Sequence, residues 1–147
     1  MAFHYRLESL LRLQRSIEKQ QENLLMVCAA RVSALKNEIA NWEEERQQRK
    51  RQAAEDLKAG STGAALGLAA EWDVAARRKQ KEIVLQLVKA EAARNEQTAK
   101  VRAERQKREV LEGLKEKLES TYDLEQRRKI QQVMDDMYLT RAFYWKG

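Results

Sequence analysis

Proline is absent from the 147 residues, although average usage would supply about seven. With no pyrrolidine ring to remove a donor or clash with the preceding turn, little in the sequence interrupts a helix. Only five glycines are present, and three of them lie in one stretch, Gly60-Ser-Thr-Gly-Ala-Ala-Leu-Gly67. A single cysteine, Cys28, excludes an internal disulfide and accords with a reducing compartment. The only histidine is His4, so neither a His-Cys zinc cluster nor a His-based catalytic triad has its parts. No run of 18 apolar residues is long enough for a membrane span, and Arg6, Glu8 and Arg12 break up any signal-peptide core. These absences lead to the expectation of a cytosolic protein without metal, cofactor or enzymatic activity.

Aromatic residues are scarce as well, at 6%, against 35% charged residues, which leaves little material for a globular core. A long seam between helices suits this composition better. The net charge of +6 would attract nucleic acid, an acidic protein surface or anionic lipid, and does not choose among them.

The glycine stretch reads as the bend of a hairpin. Glycine reaches positive φ without a Cβ clash, and small residues lower helix propensity enough for the chain to reverse. A phosphate-binding loop is the rival, but the stretch contains no lysine, no Lys-Ser/Thr pair follows it and no strand pattern precedes it. The expected fold is therefore all-α: a long antiparallel two-helix coiled-coil hairpin forming one domain, with helix one over about 3–58, the bend over about 60–67 and helix two over about 68–141.

Heptad spacing supports both helices. Phe3, Leu7, Leu10, Gln14, Ile17, Gln21 and Leu24 alternate steps of four and three, and Leu25, Cys28, Val32, Leu35, Ile39 and Trp42 repeat the pattern after an offset near Leu24. The second helix carries a thinner seam through Ile83, Leu87, Ala90, Arg94, Gln97, Val101, Glu104, Arg108, Leu111, Leu114, Leu118 and Tyr122. A bend centred near Thr62 opposes residues whose numbers sum to about 125, matching Trp42 with Ile83, Leu35 with Ala90, Leu24 with Val101 and Leu7 with Leu118. The polar positions in the middle would fix register at some cost in stability. Cys28 falls on the seam, where a thiol acts as a small apolar residue.

The same alignment exhausts helix one near Tyr122 and leaves a C-terminal helical overhang of about 37 Å. It bears Ile130, Val133, Met134, Met137 and Tyr138, then Phe143, Tyr144 and Trp145, without an intramolecular partner. That is the pattern of a docking surface; the alternative is a tail folded back on Phe3 and Tyr5. Near the bend, Arg46 to Arg51 and Arg77 to Lys81 bring like charges together. Either an acidic partner or phosphates accept them, or Glu43 to Glu45, Glu71 and Glu82 neutralise them as surface pairs. Interleaved aromatics that would favour nucleic acid are lacking. Trp72 is open to two readings, an exposed anchor for a partner or part of a thickened core with Trp42. Neighbouring carboxylates such as Glu43 to Glu45 diverge by about 100° on a helix and read as solvated faces.

The order of features along the chain resembles a known family. It comprises the N-terminus Phe3-His-Tyr-Arg-Leu-Glu-Ser-Leu-Leu-Arg-Leu13, a long charged coiled coil with a mid-chain break, Arg105-Gln-Lys-Arg-Glu-Val-Leu-Glu-Gly-Leu-Lys115, and a charged stretch through Asp135 and Asp136. This pattern is similar to the flagellar export protein FliJ family over nearly the whole chain; the aromatic end Phe143-Tyr-Trp145 departs from the charged end expected there. The resemblance implies a stalk like that of rotary ATPase γ subunits, in the cytoplasmic part of the flagellar type III export apparatus at the inner membrane. It implies binding to the hexameric export ATPase FliI and the gate protein FlhA, and a part in handling export chaperones. The stalk protein of a virulence-type secretion system would share fold and partners. By the γ analogy the end formed by both termini enters the ATPase ring, which would make Phe3, Leu7, Ile130, Val133, Met134, Met137 and Tyr138 ring contacts. The bend end would face the gate through Trp72, Leu66, Leu68, Arg49, Arg51, Arg77 and Arg78.

Overall fold

The computed structural model describes residues 2–146. The described residues form two helices, α1 (Glu8–Lys58) and α2 (Gly63–Lys146), which pack against each other. No helix of the described residues is long and apolar enough to cross a membrane.

The break between the helices is shorter than the glycine stretch suggests, and its hydrogen bonds explain why. Gly60 takes φ +88°, so the Gly60 N–H reaches the Leu57 carbonyl (3.3 Å) and the Ser61 N–H the Asp56 carbonyl (2.9 Å). That pair of bonds is a Schellman stop, which satisfies carbonyls left over at the end of α1. Thr62 then caps α2: its Oγ1 accepts the Ala65 N–H at 3.4 Å and its carbonyl accepts the Leu66 N–H at 3.2 Å. Gly63 and Gly67, expected in the bend, are consequently helical.

The chain divides into two compact units, Met1–Lys19 with Ala103–Gly147, and Gln20–Arg102. The second contains the bend. Its helices run antiparallel, as Gln21 against Gln97, Lys36 against Glu91 and Trp42 against Trp72 record, and its core is Val32, Leu35, Ala76, Ile83 and Val101. In the first unit the pairs are Phe3 with Tyr122, Glu8 with Lys115 and Gln14 with Glu104, again antiparallel, around the fully buried Leu11.

Both outer helix bounds are corrected. Helix one begins at Glu8 rather than residue 3, because the leading residues are spent on docking. Tyr5 is buried and its hydroxyl donates to the Leu111 carbonyl at 2.9 Å, while Phe3 lies 5.6 Å from Tyr122, ring centre to ring centre. Helix two continues past 141 to Lys146, with no glycine or proline there to stop it.

The register also differs. Gln14 meets Glu104 in one unit and Gln21 meets Gln97 in the other, numbers that sum to 118 rather than 125, and the turn is centred on Gly60 and Ser61 rather than Thr62. Leu35 thereby falls level with Ile83 instead of Ala90, and Trp42 meets Trp72 instead of Ile83. Finally, the seam of α1 has no offset near Leu24, which is half exposed, as is Leu10. Leu11, Gln14, Glu18, Gln21, Leu25, Cys28, Val32 and Leu35 keep unbroken spacing because Glu18, 6% exposed, occupies a seam position.

Candidate functional site

Two surfaces and one polar layer carry the chemistry. The polar layer lies in the unit that holds the termini. Arg108 donates through Nε to the Glu18 carboxylate and through an Nη to Glu112 at 2.8 Å, and Arg105 approaches Glu18 at 3.5 Å. The bond to Glu18 holds the Arg108 guanidinium even more firmly charged than usual, against the effect of desolvation. Beside it the Gln14 amide donates to both the Glu104 carbonyl (3.0 Å) and carboxylate (2.6 Å), which lowers the Glu104 pKa. Gln97 repeats the motif in the other unit, donating to the Gln21 carbonyl and amide oxygen. Gln14, Glu104 and Arg108 of this layer, and Gln21 and Gln97 of the other unit, were legible as polar seam positions. Glu18 was not, because a carboxylate at a heptad position reads as solvent-facing until its arginine is located.

The first surface is the stretch of α2 from Ile130 onward. Ile130, Val133, Met134, Met137 and Tyr138 are all more than half exposed, up to 73% at Tyr138, and Trp145 reaches 89%. Phe3 and Tyr5 are taken by Tyr122 and Leu111, so the tail does not fold back on them. Phe3 is half-buried, and Leu7, at 37%, is the more exposed of the two N-terminal members of the set. Sequence spacing assigned Leu10, Leu114 and Leu118 to the seam, yet they are 40–47% exposed and join Leu13 and Val110 as apolar surface in this unit. The signal was present as more leucines than one seam accommodates.

The second surface lies near the bend. Trp72 is half-buried, its ring 6.4 Å from Trp42 and capped by the Arg49 guanidinium at 3.9 Å. It is therefore part of a thickened core rather than a bare anchor. Arg46 is largely buried and binds Asp73 (3.2 Å), Glu43 (3.3 Å) and Gln80 (3.0 Å). Gln80 and Gln47 both donate to the Glu43 carboxylate, holding its pKa below the usual range. Arg77 pairs with Asp73 and Arg49 with Glu45. Half of the basic patch is thus neutralised locally, while Lys50, Arg51, Arg78 and Lys81 make no ion pair among the described residues and Leu68 is 68% exposed beside the half-buried Leu66.

Cys28 is half-buried on the seam of α1, and the described residues contain no group of histidine, cysteine and acidic side chains arranged to hold a metal. What the arrangement offers is surface: one apolar, near the C-terminus, and one mixed aromatic and basic, near the bend. No family model, curated protein or solved structure matches the chain.

Proposed function

We propose that the chain is a non-enzymatic stalk of a type III export apparatus, of the flagellar kind that its sequence resembles. In this reading the helices form an antiparallel coiled-coil hairpin with a C-terminal overhang, working at the cytoplasmic face of the inner membrane. The overhang docks in the hexameric export ATPase FliI, with Phe3 and Leu7 at its base. The bend end reaches the gate protein FlhA through Leu66, Leu68, Arg49, Arg51, Arg77, Arg78 and the rim of Trp72, and export chaperones are handled in passing.

The observation that carries this reading is the exposed apolar row Ile130, Val133, Met134, Met137 and Tyr138 on a helix that continues to Lys146. Apolar residues at helical spacing with water on them are the form in which a helix presents anchors to a groove. Methionine and tyrosine suit such a role, since one adapts its shape and the other joins an apolar ring to a polar tip.

Met137→Asp with Tyr138→Asp tests it. Both side chains are exposed, so the variant keeps its helix signal, and it is expected to lose binding to the cognate export ATPase by at least about a hundredfold, as for two central anchors. Binding equal to the wild type by surface plasmon resonance sinks the assignment.

A further inference from the structure

The charges on the last part of α2 mirror one another with opposite sign about Gln132, although Asp123 and Glu125 also stand at i,i+4 spacing to Arg127 and Lys129. Arg127, Arg128 and Lys129 lie together, Asp135 and Asp136 lie together two turns later, and Asp123 and Arg141 stand outside them. All seven are exposed and none forms an ion pair among the described residues; Asp135 accepts only the Gln131 amide, at 3.0 Å. Lys129 and Asp136 are seven residues apart, about 10 Å along the axis, beyond the i,i+4 reach at which helical charges meet.

We propose that this segment pairs with the same segment of a second copy of the chain, antiparallel, about a twofold axis near Gln132. Residues whose numbers sum to about 264 then stand opposite one another, and two sets of opposite charges coincide in each copy. Lys129 of each copy meets Asp136 of the other, both flanking the seam, and Arg141 meets Asp123. Between them Ile130 faces Val133 and Met134, and Met137 packs beside Gln126 and the Arg127 stem, so the exposed apolar row becomes the seam. A parallel copy would set Lys129 beside Met134 and leave it without an opposite charge. The charge pattern thus selects one occupant and one direction. The pairing covers the face assigned above to the ATPase, so self-association and ring docking exclude each other, but the dimer stands or falls without reference to that partner.

Sedimentation equilibrium of the full chain alone, at low ionic strength and up to millimolar concentration, tests the pairing. The wild type is expected to show a reversible monomer–dimer equilibrium. Lys129→Glu and Asp136→Lys are each expected to weaken it roughly tenfold, because each turns two attractive contacts into two repulsive ones. The double exchange Lys129→Glu with Asp136→Lys restores it. Both positions are exposed, and an unchanged helical circular dichroism signal shows that the variants are folded. A chain that stays monomeric throughout overturns the proposal, and so does a dimer whose strength is unmoved by either single exchange or is not recovered by the double one.

Discussion

Leu35→Ala is expected to lower the unfolding free energy by about 3 kcal/mol, within the range for deleting a buried leucine side chain. Leu35 is 2% exposed, as is Ile83, which the register places at the same level of α2. A two-helix seam has few such layers and no third element to close over a cavity, so the loss falls on a large fraction of the total. Leu85→Ala is the control: Leu85 is 65% exposed, and its truncation is expected to cost less than about 0.5 kcal/mol. Urea unfolding followed by circular dichroism measures both. Equal losses at the two positions would show that the seam does not carry the stability.

The second large effect concerns Glu18 and Arg108. Arg108→Leu leaves a carboxylate in the seam with only Arg105, at 3.5 Å, as its counter-charge. The expected cost is about 2 kcal/mol, below the usual value for a broken buried pair because Arg108 remains a quarter exposed and Arg105 stays. Glu18→Leu with Arg108→Leu removes both charges and places apolar groups on a seam that suits them, so the double variant is expected within about 1 kcal/mol of the wild type, or above it. The coupling between the two changes, read from a double-mutant cycle, should approach the full cost of the single one. Additive losses would mean that the two side chains act separately. If coupled as expected, the layer's contribution is to register: with Gln14 on Glu104, it makes a slipped alignment leave charges and amides unpaired in the seam.

How far the sequence exposes this fold depends on whether a residue's role is set locally or across the helix pair. The absence of proline and the clustering of Gly60, Gly63 and Gly67 made two helices and one reversal legible. The turn itself is two residues' worth of capping chemistry, Gly60 at positive φ and Thr62 as the cap. Composition cannot resolve it from the small residues that follow, and the resulting error in the centre of the bend carried into the register. Gln14 and Gln97 were readable as polar seam residues because they interrupt an apolar row. Glu18 was hidden beside Ile17, which fits the heptad better on hydrophobicity alone, and only the position of Arg108 reverses the choice. Tyr5 likewise looks like an ordinary first-turn residue until the Leu111 carbonyl is found within reach of its hydroxyl. At the bend, the open question of Trp72 was one of register too, since a shift of about two turns brings it toward Trp42.

The apolar row on α2 was legible for the opposite reason: Ile130, Val133, Met134, Met137 and Tyr138 have no local partner to find, and the structure leaves them exposed. Their proposed partner is what remains to be measured. Steady-state ATP hydrolysis by the cognate export ATPase, with and without the full chain and with its hexamer content followed by light scattering, addresses this most directly. The stalk reading predicts faster turnover together with a larger hexamer fraction, both abolished in the Met137→Asp, Tyr138→Asp variant. Turnover and assembly unchanged by the wild-type chain would contradict it.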